Sequence, residues 1–298
     1  MRRTRILAVI LTFLGVFASA MPSVAAKPGH GAGDWAPLRA RLAAIAHTTK
    51  AEVGVSVQNL AAGGHRQRIE IGARTRMPSA SVIKLPILAE LLRMAERGEL
   101  SLAERVHVDR SDVVGGTGQL QHEKLPQDIS LHRLARYMII YSDNTATNLL
   151  IDRIGFGPVN ALIRSLGLRS TVLERKMMDT EAQQHGRENY LDAADIAKLL
   201  RSLWDGRLLS APSRAIALGF LRDQRLNELI PAALPPGAPV AHKTGTLDDL
   251  VTHDVGYYLV PGSEVLVVFT TKGTTAAGTA AVHRMARAVW DFTQPVTG

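Results

Sequence analysis

Strand-like alternation of apolar residues is confined to two places in this chain, one near each end, and the stretch between them is patterned for helices. Ala51 to Gln58 alternates Val53, Val55 and Val57. A turn at Ala61-Ala62-Gly63-Gly64 lets Arg66 to Ile71 return beside it. Far downstream, Val240 to Thr246, His253 to Val260 and Glu264 to Thr271 read as three strands, the last two joined by a tight turn at Pro261-Gly262. Between these regions Ser81 to Arg97, Leu131 to Tyr141, Asn144 to Ile154, Val159 to Leu166 and Ala193 to Trp204 carry helical spacing. Trp35 to His47, with Leu38, Leu42 and Ile45 on one face, and Ala276 to Phe292 add a helix near each end. The two strand regions must therefore share one sheet, with the helical block inserted into it. The expected class is α+β: an antiparallel β-sheet flanked by helices, with an inserted all-helical lobe and a cleft between the two. The expected division is 27–80 plus 236–298 for the sheet lobe and 81–235 for the helical lobe, the chain returning at Leu234-Pro235-Pro236-Gly237.

Residues 1–26 are excluded from this fold. Arg2, Arg3 and Arg5 precede an apolar run from Ile6 to Ala18, and small-residue cleavage sites end at Ala20 and Ala26. A run of about 13 residues is too short to span a bilayer, which takes roughly 20, and the pattern is that of a secretory signal peptide. The expected location is secreted or periplasmic. There is no cysteine, so disulfides and thiolate chemistry are excluded and an exported protein of this kind depends on packing. The formal net charge of +8 falls to +5 when the three signal arginines are removed. Basic and acidic residues are interspersed, and aromatic residues are few. Nucleic-acid binding is not expected.

Three short strings lie within this frame. They are Ser81-Val82-Ile83-Lys84, Ser142-Asp143-Asn144 and Lys243-Thr244-Gly245, spaced 61 and then 101 residues apart. Taken singly, each is compatible with a helix cap or a strand end. Together and in this order they are the signature of serine enzymes that acylate themselves on β-lactams or D-alanyl peptides. Ser81 and Lys84, three apart at a helix start, share a face. A serine hydroxyl needs a base to become a nucleophile, and a desolvated lysine near another cation is neutral enough to serve. The helix start adds positive potential where an oxyanion would form. Pro86 predicts a mild irregularity in that helix. Ser142 can relay a proton to a leaving nitrogen, and Asn144 offers a donor and an acceptor to a substrate amide. Lys243 and the Thr244 hydroxyl suit a substrate carboxylate, and Gly245 leaves room beside the backbone. His242 is read as a cleft-edge residue and not a base. No pair of the ten histidines has metal-ligand spacing, and neither a metal nor a cofactor is expected.

On these motifs the chain resembles the class A β-lactamase-like family, from about Asp34 to the C-terminus. The resemblance implies the β-lactamase/transpeptidase-like fold. It also implies an oxyanion hole from the backbone N–H groups of Ser81 and Thr246, and a structural role for Asp143. Class A enzymes place a glutamate on a loop after the S-D-N helices, where it activates the water that frees the acyl-enzyme. Here the matching stretch runs from Thr171 to Asp179, and its Thr-x-Leu-acid-Arg start puts Met177 at the glutamate's place. Arg175 and Glu188 can still pair to pin such a loop, and Asp179 and Glu181 are the nearest carboxylates able to substitute. The arginine that many members set beside K-T-G is also missing, with Leu229 at one candidate position and His253 near the other.

The leading expectation is a monomeric serine acyl-hydrolase that opens β-lactams through a Ser81 acyl-enzyme. Two alternatives stay open. One is a D-alanyl-D-alanine carboxypeptidase or related amide or ester hydrolase with slow β-lactam deacylation. The other is a non-catalytic β-lactam receptor.

Overall fold

The computed structural model describes residues 34–61 and 67–294. The signal segment and most of the Ala61–Gly64 turn lie outside them. In chain order, the helix α1 (Ala36–Thr48) leads into the strands β1 (Glu52–Asn59), β2 (Arg68–Ile71) and β3 (Met77–Pro78). A 3₁₀ turn over Ala80–Ile83 then opens the helix α2 (Lys84–Glu96). The strands β4 (Arg105–Val108) and β5 (Gln127–Ser130) precede the helices α3 (Leu131–Ile140), α4 (Asn144–Ile154), α5 (Phe156–Ser165) and α6 (Thr180–Gln184). After the short strand β6 (Tyr190–Leu191) come the helices α7 (Ala193–Trp204) and α8 (Ala211–Arg222). The strands β7 (Val240–Leu247), β8 (Val251–Tyr258) and β9 (Val265–Lys272) and the helix α9 (Thr275–Thr293) close the fold.

The two ends of the chain do form one sheet, in the order β2-β1-β9-β8-β7, antiparallel throughout. β1 and β9 join them, with Val55 opposite Phe269 and Val57 opposite Val267. Val53, Val55, Val57, Val267 and Phe269 face α1 and α9, burying Leu38, Leu42, Ile45, Val282, Met285 and Val289 against them. Leu266, Val268, Val255 and Tyr257 point the other way, into the core of the helical block. With both faces covered, β8 is buried along its whole length. This is why the alternation of apolar and polar residues fades in the central strands.

Helix α7 lies within the segment expected to form the helical lobe, yet it packs on β1 and β9. Helix α8 was not signalled by periodicity. Pro212 and Gly219 interrupt its pattern, and burial of Ala217, Phe220 and Leu221 decides its conformation. The two-stranded pairs β3–β6 and β4–β5 are too short to show a period. Pro86 proves less disruptive than its position from Ser81 suggests. The α-helix begins only at Lys84, so Pro86 sits in its first turn, where backbone N–H groups have no intrahelical partner.

Candidate active site

The turn carrying Ser81 is strained and externally held. Ala80 has φ of 44°, a left-handed conformation that costs an L-residue energy unless its surroundings impose it. They do so here. Ser79 N–H donates to the Asn189 carbonyl at 2.7 Å, and His253 Nε2 lies 2.9 Å from the Pro78 carbonyl. In a 3₁₀ turn, side chains at i and i+3 eclipse. Ser81 therefore stands over Lys84, with Oγ and Nζ 2.9 Å apart.

Lys84 is fully buried, and its surroundings define its protonation state. Nζ donates to the Ser142 carbonyl at 2.6 Å and to Asn144 Oδ1 at 2.9 Å. Those two acceptors use both hydrogens of a neutral amine and leave its single lone pair to accept from one hydroxyl at a time, that of Ser81 or that of Ser142, whose Oγ lies at 3.1 Å. Burial pushes the Lys84 pKa well below the ordinary lysine value, the charge of Lys243 pushes it further, and Asp143 opposes both. Lys243 reaches Ser142 Oγ from the other side at 3.0 Å and donates to the Thr244 carbonyl at 2.8 Å. Burial brings its pKa down to about 7, against the pull of Asp254. One hydroxyl, that of Ser142, thus bridges the two lysines.

Ser142 itself has φ of 53°. Thr117 Oγ1 donates to its carbonyl at 2.8 Å, and Asp143 anchors the following turn. Asp143 Oδ1 caps α4 through Ala146 N–H at 2.8 Å, while Oδ2 accepts from Gln119 and Leu120 N–H at 2.6 and 2.8 Å. Its role is structural. Asn144 gives its oxygen to Lys84 and one amide hydrogen to the Gly115 carbonyl at 3.0 Å. One amide hydrogen and one lone pair of the amide oxygen remain for a substrate amide.

β7 is an edge strand, so its outward N–H and C=O groups are unpaired by any neighbouring strand and line the cleft. Gly245 lets this edge approach the nucleophile. A Cβ there would lie 2.9 Å from Val82 Cγ2, 3.0 Å from Val82 N and 3.1 Å from Ser81 N. The space that Gly245 leaves is thus occupied by the nucleophile's own turn, and Ser81 and Thr246 line the same cleft. Gly245→Ala should push the two apart, lowering the acylation rate at least tenfold and costing about 1–3 kcal/mol of stability, as overpacking does. Stopped-flow acylation and thermal unfolding would check this; wild-type values in both would remove the close approach from the argument.

The cleft of about 380 Å³ is bounded on its other side by Gly116, Thr117 and the loop after α5. Arg175 and Glu188 pin that loop through paired contacts of 2.9 and 3.0 Å, as expected. Asn148, one turn beyond Asn144 on α4, clamps Met177 from both sides. Its Oδ1 accepts from Met177 N–H at 2.8 Å and its Nδ2 donates to the Met177 carbonyl at 3.1 Å. Sequence reading missed Asn148, although an asparagine four residues after Asn144 on one helix face was the available signal. The structure puts Met177 in the cleft wall. It does not bring Asp179 or Glu181 there. Asp179 Oδ1 caps α6 through Ala182 N–H at 2.9 Å, and Glu181 is exposed on that helix. Glu188 does reach the cleft, but Arg175, Gln183 and the Asn189 N–H occupy its oxygens.

Three further expectations change. Leu229 is buried against the sheet with α9, and not at the cleft. His253 is buried under Pro78, its Nδ1 accepting from Thr271 N–H at 3.2 Å, and burial lowers its pKa to about 4. It is a neutral strut and not an anion-binding group. His242 is also buried, between Asp254 and Asn227, and not at the cleft edge. Of the expected anion-binding residues, Lys243 and Thr244 are both buried at the base of the site, with Lys243 Nζ held between Ser142 Oγ and the Thr244 carbonyl.

This fold and this pair of lysines around two serines define a class of active-site serine hydrolase. The comparisons with known proteins agree. The profile of the β-lactamase enzyme family matches residues 37–293, and the chain belongs to that family. A β-lactamase of Streptomyces fradiae is 32% identical over 281 residues, which is 91% of this chain and 90% of that protein. The crystal structure of a β-lactamase from Sphaerobacter thermophilus superposes with a TM-score of 0.77 at 31% identity, covering 88% of this chain and 98% of the other. PBP-A superposes with a TM-score of 0.77 at 28% identity, covering 86% and 95%. A leucine-to-glutamate variant of PBP-A, solved as an acyl-enzyme complex with penicillin G, has a TM-score of 0.76 at 28% identity, with the same coverage.

Proposed function

We propose that this serine hydrolase opens β-lactams by acylating Ser81 and that release of the acyl group is its slow step. Neutral Lys84 takes the Ser81 proton as Oγ attacks the lactam carbonyl. The carbonyl oxygen turns toward the Ser81 and Thr246 N–H groups. As the C–N bond breaks, the proton passes from Lys84 through Ser142 Oγ to the leaving nitrogen. The substrate carboxylate pairs with Lys243 in its ammonium form and with the Thr244 hydroxyl.

The observation that carries slow release is the wall opposite Ser81. It presents the Met177 thioether where a water-activating carboxylate is needed, and Asn148 holds that residue in place. The same wall supports a second reading, that of an amide or ester hydrolase of D-alanyl peptides for which β-lactams are slowly released inhibitors. The likeness to PBP-A, captured as a penicillin G acyl-enzyme in its glutamate variant, lends that reading weight.

Intact-mass spectrometry over time with penicillin G tests the proposal. A persistent adduct on Ser81 is expected. Met177→Glu should shorten its lifetime by roughly 10²-fold, the lower end of a general base's contribution. Asp179→Asn and Glu181→Gln should leave it unchanged. Wild-type turnover so fast that no adduct accumulates would refute slow release.

A further inference from the structure

Among the described residues that line the cleft, Met178 is the one exposed large apolar side chain. Among the described residues only Met178 and Leu250 are exposed large hydrophobics, and Met178 is 50% exposed. Its φ is 62°, a left-handed conformation in which methionine is uncommon. Nothing in its own fold requires a side chain there. Glycine would take the same φ without strain, and a polar residue would meet solvent more favourably. The strain is imposed by both flanks. On one side Asn148 grips the Met177 backbone, and on the other Met178 O accepts from Thr180 N–H at 3.0 Å ahead of the α6 cap.

This conformation sends the side chain across the cleft. Its sulfur lies 3.2 Å, and its methyl 3.8 Å, from where a Cβ on Gly116 would stand. Gly116 belongs to the opposite wall, has φ of 81°, and is followed closely by Thr117, which holds the Ser142 carbonyl. The same imagined Cβ would also lie 2.6 Å from Asn144 Nδ2. A bare glycine is thus what allows the thioether to seat against the far wall. The two loops meet at this point, and the cleft is bridged.

The position of the bridge fixes what it can sense. A substrate carboxylate at Lys243 and Thr244 and a reacting carbonyl at Ser81 leave one direction for the rest of the acyl group. That direction leads past Asn144 into the space lined by Gly116, Met177, Met178 and Gln183. We infer that Met178 determines acyl-group specificity: its thioether, seated against Gly116, forms a soft apolar stop that admits slim apolar acyl side chains and excludes bulky or branched ones. An unbranched, polarizable side chain suits this contact, because it can adjust to different apolar groups while still closing the gap.

The inference rests on β-lactam acylation as proposed above, and the experiment separates the two. Acylation rates are measured for a penicillin with a slim benzyl acyl side chain and for one with a bulky, ortho-substituted aryl side chain. The variants are Met178→Gly, which removes the stop and fits the backbone, and Met178→Leu, which keeps an apolar stop. Met178→Gly should raise the bulky-to-slim rate ratio at least tenfold, with no loss of thermal stability, and Met178→Leu should stay within about threefold of wild type. An unchanged ratio in Met178→Gly, with acylation intact, would overturn the role given to Met178. Equal shifts in Met178→Gly and Met178→Leu would overturn the bridging contact as its basis. Absence of any acylation of the wild-type protein would instead defeat the functional reading on which it rests.

Discussion

Ser81→Ala should lose all covalent labelling by a fluorescent penicillin while keeping the fold. The serine is half-buried, and its hydroxyl contributes one hydrogen-bond partner to Lys84, which retains the Ser142 carbonyl and Asn144 Oδ1. Removing the hydroxyl therefore leaves Lys84 satisfied, and the unfolding temperature should change little. No other serine in the cleft can take over. Ser142 Oγ sits between the two lysines, and Ser79 is buried with its Oγ directed to the Ala80 carbonyl at 3.1 Å. Labelling that persists in Ser81→Ala, mapped by peptide mass to any residue, would end the assignment of the nucleophile.

The next largest effect is expected from Lys84→Ala, with acylation slowed by roughly 10²-fold or more, the scale of a lost general base. The pH profile separates a base from a structural lysine. Lys84 acts when neutral, so the acylation rate rises with pH through its depressed pKa. Lys243 binds a carboxylate when protonated, so the rate falls again as pH passes about 7. The outcome is a bell whose rising limb belongs to Lys84 and whose falling limb belongs to Lys243. Lys84→Ala should erase the rising limb and keep the falling one, and an uncharged ester substrate should lose the falling limb in the wild-type enzyme. A Lys84→Ala variant that acylates at the wild-type rate, with both limbs present, would remove Lys84 from the chemistry.

Reading the chain without coordinates reached the members of this site but not all of their relations. Asp179 and Glu181 stood near the expected glutamate in sequence, yet the helical cap at Asp179 turns both onto α6, away from Ser81. Local hydrogen bonding of an Asp to the turn that follows it is a short-range rule, but which way that turn faces is a tertiary one. Gly245 is legible as a place for close approach, but that the Ser81 turn packs against it depends on the tertiary fold. His253 on β8 and His242 on β7 look alike in sequence, each on a strand whose side chains alternate faces. Only packing shows that one braces Pro78 and the other sits between Asp254 and Asn227.

By itself the sequence determined the class of fold, because period-two strands at both ends and period-3.6 helices between them leave few ways to bury one sheet. It determined the pairing of Ser81 with Lys84 as well, since three residues at a helix start set two side chains on one face. Tertiary structure alone decided the chemistry of that pair. Ser142 and Lys243 arrive from 58 and 159 residues beyond Lys84, and both lysines come within hydrogen-bonding distance of the Ser142 hydroxyl. Proton affinity depends on burial and on neighbouring charge, and both are properties of the assembled cleft that no local spacing contains.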